Sequence, residues 1–94
     1  MTTLRIEHRV RNFEGWKKAF DSDPAGRRIA GVKRYSIFRQ SDDPDYVTID
    51  LEFESIPEAE KMLDVLKHIW PKIDGKVIFT PSAKIISLYE SVSL

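Results

Sequence analysis

A single uninterrupted stretch, Ser41 to Leu66 (SDDPDYVTIDLEFESIPEAEKMLDVL), carries a turn, a one-sided strand and a capped amphipathic helix, and few folds accommodate that order. From Tyr46 to Phe53 the residues alternate strictly. Val47, Ile49, Leu51 and Phe53 point one way, and Tyr46, Thr48, Asp50 and Glu52 point the other. An apolar face of that kind must lie under other elements. The opposite, polar face is where a ligand or a partner is expected to reside.

The flanking segments complete the pattern. Leu4 to Val10 sets Leu4, Ile6, His8 and Val10 against Arg5, Glu7 and Arg9, a first strand. Asn12 is a good N-cap, and Phe13, Trp16, Ala19 and Phe20 recur at helical spacing, with Asp23-Pro24 ending that helix. Pro24 to Gly31 is read as a short helical turn before a second strand at Val32 to Arg39. Gln40 to Asp45 (QSDDPD) is turn chemistry, so the second and third strands should form an antiparallel hairpin. Ser55 caps a second helix, with Glu58 completing a capping-box pattern. Ala59, Met62, Leu63, Leu66, Ile69 and Trp70 form its apolar stripe, and Pro71 is expected to stop it. Lys72 to Ser82 is read as either a short strand or a packed loop. Ala83 to Val92 is the last strand, with Ile86, Leu88 and Val92 on one face and Ile85, Ser87 and Tyr89 on the other.

The predicted order is therefore βαββαβ, an α+β, ferredoxin-like four-stranded antiparallel sheet with both helices on one face. The other face is expected to expose Phe38, Val32, Ile85 and Tyr89 among polar groups, a patch that calls for cover. At 94 residues the chain is read as one domain that buries only about 60% of its unfolded surface, where association supplies missing stability. A homodimer through the open sheet face is the expectation. Fifteen basic and fifteen acidic residues cancel and are interleaved, which argues against nucleic acid and anionic membranes as partners. There is no cysteine, so disulfides, thiolate zinc sites and cysteine nucleophiles are excluded. No apolar run approaches the roughly 20 residues of a membrane span, and MTTLRIEHRV has no signal-peptide core, so the expected location is the cytoplasm.

The residues resemble a known family, the small dimeric α+β barrels that include antibiotic-biosynthesis monooxygenases, polyketide cyclases, haem-degrading monooxygenases and stress-responsive proteins. The likeness is carried by His8-Arg9-Val10 with Phe13-Glu14-Gly15-Trp16-Lys17 and Phe20, by Ala30-Gly31-Val32, and by Asp42 to Val47 running into Glu52-Phe53-Glu54-Ser55 and Glu58-Ala59. It is nearest to the uncharacterised monooxygenase-like or cyclase-like branch. What the resemblance implies is a homodimer whose facing sheets enclose a cavity for a small hydrophobic or aromatic molecule. It does not imply a reaction, because the superfamily hosts several. The asparagine, tryptophan and histidine that converge in haem-degrading relatives are not matched: Asn12 is taken as a cap and His68 lies on an outer face. No phosphate-binding glycine motif and no metal-ligand spacing occurs, so no cofactor and no metal are expected.

Candidate site residues follow. His8 is the only histidine on a predicted strand; it is either a proton shuttle, if a bulge turns it toward the barrel, or a buried histidine bonded to a neighbour. Asp50 could act as a base on an acidic phenol or α-proton. Arg34 and Ser36 are expected beside Asp50 and Glu52, where a salt-bridge network is the simpler reading. Arg34, Phe38, Thr48, Glu52 and Tyr89 are the expected ligand contacts, and Tyr35 should lean toward the helices. Trp16 and Trp70 are read as core, and His68 as solvated. The function expected is a cofactor-independent monooxygenase or cyclase acting on a small aromatic or polyketide-like molecule. The alternative is a non-catalytic, metabolite-binding or stress-responsive dimer.

Overall fold

The computed structural model describes residues 1–23, 26 and 30–94. The elements run β1 (Thr2–Val10), α1 (Phe13–Asp21), β2 (Arg34–Gln40), β3 (Asp43–Phe53), α2 (Ile56–Ile73) and β4 (Ile78–Ser87). The strands form one antiparallel sheet in the order β2-β3-β1-β4, the ferredoxin-like topology expected from the sequence. The expected helical turn over Pro24 to Gly31 falls outside the described residues, apart from Gly26, Ala30 and Gly31.

Alternation in β1 and β3 survives without a slip. Leu4 faces Leu51 and Ile6 faces Ile49 across the central pair, and all four side chains are buried under the helices. Phe53 and Met62 are fully buried in the same cluster, which joins the sheet to α2. Both helices start as the sequence indicates. The Asn12 side chain accepts a hydrogen bond from the Gly15 N–H at 2.8 Å. Ser55 Oγ accepts from the Glu58 N–H at 3.4 Å and donates to the Glu58 carboxylate at 3.0 Å. Gly31 sits against that second cap with φ of 96°, and a Cβ there would lie 2.5 Å from Glu58 Oε2, so a side chain would strain the backbone and displace the Glu58 carboxylate.

Several boundaries differ from expectation: β1 starts at Thr2 rather than Leu4, and β2 runs Arg34–Gln40 rather than Val32 to Arg39. The β2–β3 turn is confined to Ser41 and Asp42, because Asp43, Pro44 and Asp45 are already in β3. Pro44 is tolerated near the start of a strand, where its missing N–H removes little from the ladder. Helix α2 runs through Pro71 to Ile73, because a proline in the last turn removes one bond without blocking the two residues beyond it. Strand β4 starts at Ile78 and ends at Ser87, five residues before the expected limits at each end. The strand also carries a β-bulge. The β1–β4 register steps from Arg9↔Phe79 to Glu7↔Ser82, and Thr80 absorbs the extra residue at a φ of 51° while its N–H donates to Asp74 Oδ1 at 2.9 Å.

That bulge also corrects the open face. Ile85 lies opposite Leu4 and packs on the helix side, and Val32 packs there too, so neither belongs to the exposed patch. Ile86, opposite Thr3, takes the open-face position instead. Periodicity alone sorts β4 into two sets, but only its register with β1 says which set points to the helices.

Candidate functional site

The sheet has two chemically different sides, and each holds part of the expected site. On the helix side, Ile6, Trp16, Phe20, Met62 and Trp70 are among the side chains lining a partly open cavity of about 220 Å³ between sheet and helices. His8 also lines it and is the only titratable side chain to do so among the described residues. Strand β1 places it there by simple alternation after Leu4 and Ile6, and the bulge lies in β4 directly across from it rather than in β1. No bulge in β1 turns His8 toward the open face, so it stays on the helix side and not where a facing sheet would enclose a barrel.

His8 is 4% exposed, and its Nδ1 is buried with no hydrogen-bond partner among the described residues. Its ring meets Trp16 edge-on, with centroids 5.9 Å apart, and Trp16 in turn stacks at a tilt on Phe20 at 5.2 Å. Burial among apolar groups pushes the imidazole down to about 4, with a backbone hydrogen bond at Arg9 pulling weakly the other way. The ring is therefore neutral at pH 7. A neutral imidazole keeps one nitrogen as donor and the other as acceptor, so the ring brings hydrogen-bonding capacity to the cavity wall, although Nδ1 itself is covered.

On the open side, charges are matched in pairs. Arg5 Nε and Nη2 donate to the two carboxylate oxygens of Asp50, both at 2.8 Å. Arg34 pairs with Glu52 at 3.4 Å, Arg9 grips Asp43, and the Tyr46 hydroxyl donates to Glu7 at 3.3 Å. Arg34 and Ser36 lie across the hairpin from Glu52 and Asp50 as expected, and Arg5 from β1 takes the Asp50 carboxylate. A bidentate guanidinium occupies both oxygens of the carboxylate, an arrangement that suits a structural pair. Thr48 and Phe38 face each other across β3 and β2 on this side, and Phe38 is 52% exposed. Ile86, Leu88 and Tyr89 border a shallow hollow of about 360 Å³ next to Arg5 and Asp50. Tyr89 lies beyond the end of β4 and is 97% exposed.

The structure therefore divides the expected site residues. Asp50, Arg34, Glu52, Thr48 and Phe38 share the open face, with Tyr89 at its margin, while His8 lies on the other side of the sheet. Sequence reasoning missed two features. Arg5 was not singled out, although a β1–β3 register would have placed it across from Asp50. The cavity was missed because Trp16, Trp70, Met62 and Phe20 fit an ordinary core stripe; the signal was a histidine at an inward position among them. Tyr35 does lean to the helix side, meeting Phe20 edge-on at 5.3 Å, and His68 is exposed on α2.

No protein-family model and no curated protein matches the sequence. Solved structures do match the fold. SnoaB, a cofactor-independent oxygenase from Streptomyces nogalater, superposes with a TM-score of 0.75 at 12% identity, covering 97% of this chain and 95% of that one. A candidate antibiotic-biosynthesis monooxygenase from Nitrosomonas europaea gives 0.68 at 18% identity, covering 95% of this chain and 100% of that one. A dimeric ferredoxin-like protein from an uncultured marine organism gives 0.68 at 12% identity, with coverages of 99% and 92%. The chain has the ferredoxin-like fold of these antibiotic-biosynthesis-monooxygenase-type proteins.

Proposed function

We propose that this chain is a cofactor-independent oxygenase that acts on a small hydrophobic hydroxylated molecule held between the sheet and the helices. One observation carries the proposal: the cavity is apolar except for a buried histidine whose Nδ1 has no partner among the described residues. Similarity of fold to SnoaB is consistent with the reaction class and supplies no residue role.

The chemistry needs no reductant from outside. His8 takes the proton of a phenolic hydroxyl, and the electron-rich phenolate passes one electron to O2. The radical pair recombines into a C–O bond at the ring carbon para to the oxygen. The peroxide then loses its outer oxygen with the proton of that carbon, and His8 returns its proton to the departing hydroxide. One phenol and one O2 give one quinone and one water, so the substrate supplies every electron that reduces oxygen. Although burial lowers the basicity of the free imidazole, an anion formed beside it in a water-poor cavity favours the imidazolium by direct attraction.

The same proposal places a second copy of the chain over the open sheet face. Phe38, Ile86 and Leu88 offer apolar area there, and the ion pairs on that face leave few unmatched charges to bury. In this reading Asp50 organises that face rather than acting as a base. The test is oxygen consumption by metal-free protein with hydroxylated arenes, in wild type and in His8→Leu. The expected result is equimolar O2 uptake and quinone formation by wild type, reduced by about 100-fold or more in His8→Leu. Equal rates in the two proteins would remove His8 from the chemistry. Tight binding without O2 uptake would favour the non-catalytic metabolite-binding role.

A further inference from the structure

We propose that Arg11 sets the depth of the helix-side cavity, and with it the size of molecule the site accepts, by holding the loop between α2 and β4 in place. The inference rests on that cavity being the functional site. It makes Arg11 a positioning residue, acting on the cavity wall from outside the cavity.

The walls are not equally fixed. Among the described residues that line the cavity, every one but Val77 lies in a helix or a strand, where a ladder of backbone hydrogen bonds holds it. Val77 belongs to the loop of residues 74–77, which joins α2 to β4. That loop meets part of its own hydrogen-bonding need. The Lys76 and Val77 N–H groups donate to the Ile73 carbonyl at 3.0 and 2.9 Å, and the Gly75 N–H donates to the Ile78 carbonyl at 2.7 Å.

The loop carbonyls are bound by Arg11. Its Nε donates to the Lys76 carbonyl at 2.7 Å, its Nη2 to the Gly75 carbonyl at 3.3 Å, and its backbone N–H to the Val77 carbonyl at 3.0 Å. Three consecutive carbonyls are thus held by one residue. The guanidinium also lies over the Phe79 ring, 5.3 Å from its centre. Arg11 is itself well anchored, because the buried Val10 before it pairs with Ile78 and Asn12 after it caps α1. Among the described residues no carboxylate pairs with Arg11, so its side chain serves the loop rather than an ion pair. A planar fork of donors suits neighbouring carbonyls in a way that a single ammonium does not.

A wall of fixed position shows itself in how affinity depends on ligand length. An alkyl chain gains about fourfold in affinity per methylene while it finds room, and loses affinity once it presses on a wall that cannot move. At about 220 Å³ the cavity exceeds the roughly 150 Å³ that holds benzene, so a ring with a short chain fits before the end wall is met.

The experiment is titration of benzene, butylbenzene and hexylbenzene at pH 7, read through the fluorescence of Trp16 and Trp70, the chain's two tryptophans, both of which line the cavity. In wild type, affinity should rise from benzene to butylbenzene and then fall about 10-fold at hexylbenzene. In Arg11→Gln it should go on rising at hexylbenzene, with benzene within about twofold of its wild-type affinity. Phe79→Leu removes the ring under the guanidinium and keeps the carbonyl bonds. It should shift hexylbenzene in the same direction by less, and it decides the matter if Arg11→Gln fails to fold. A uniform loss of affinity for all three probes marks a purely structural role and overturns the inference. Affinity that already rises to hexylbenzene in wild type, or one size preference shared by wild type and both variants, overturns the inference and leaves the cavity as the site. No fluorescence response of wild type to any probe overturns both this inference and the function proposed above.

Discussion

The two faces of one sheet handle polar groups in opposite ways. On the open face each charged residue of β1 has an opposite-charge or hydrogen-bond partner: Arg5 with Asp50, Glu7 with Tyr46, and Arg9 with Asp43. On the helix face a single polar side chain, His8, is buried without a partner at Nδ1 among the described residues. Matched surface pairs are what a fold tolerates at little cost, and each contributes little in return. An unmatched buried nitrogen costs about 1–3 kcal/mol, and a fold that keeps one in an apolar cavity gains nothing structural from it. The contrast directs attention to the helix side for chemistry and to the open side for association.

The largest effect should come from removing packing on the helix side. Phe53→Ala takes a fully buried ring from beneath α2 and should cost about 3–5 kcal/mol, read as a lowered midpoint in chemical denaturation. Phe38→Ala, on the exposed side, should move that midpoint by less than about 0.5 kcal/mol while weakening self-association. If Phe38→Ala proves as damaging as Phe53→Ala, the open face is not a surface of the folded monomer, and the division between the two sides fails.

Acid should come next, and its sign is fixed by His8. The imidazole titrates near 4 when folded and near 6.5 when unfolded, so between those values the unfolded chain binds a proton that the folded chain does not. Stability therefore rises with pH across this window and is lost as pH falls from 6.5 toward 4, by about 3 kcal/mol from this group. Asp43 adds to the acid loss at lower pH, because its hydrogen bond and charge interaction with Arg9 hold its carboxyl below the usual range. Urea unfolding at pH 7 and pH 4.5 would show the slope, and His8→Leu should flatten it. An unchanged slope in that variant would place the acid sensitivity elsewhere and remove the claim that His8 is neutral and buried.

Much of this architecture is legible from residue order, for identifiable reasons. Strict alternation in β1 and β3 fixes facing because both strands are central and one side is wholly apolar. Asn12 and Ser55 announce helix starts through side-chain caps that need only local geometry. The candidate site was less legible, because it depends on register between strands far apart in sequence. Arg5 meets Asp50 across 45 positions, and Ile85 turns inward only because Thr80 accommodates a bulge. A cavity is harder still to foresee. Whether Trp16, Met62 and Trp70 close on one another or leave about 220 Å³ between them depends on how α1 and α2 sit on the sheet, and a helical stripe looks the same in either case.

The smallest effect is the most discriminating for the open face. Asp50→Asn removes the charge that Arg5 binds at two points while preserving shape. Arg5 is over a third exposed and Asp50 mostly covered, so the pair should be worth about 1 kcal/mol or less to the folded chain. If Asp50 only organises a surface that a second copy covers, the variant should keep full turnover per folded site and dissociate at lower dilution, because Arg5 would then be buried in the dimer without its counter-charge. Native mass spectrometry across a dilution series, with oxygen uptake measured on the same samples, separates these outcomes. Loss of turnover in a variant that stays dimeric would return Asp50 to the role of base and move the chemistry from the helix side of the sheet to the open one.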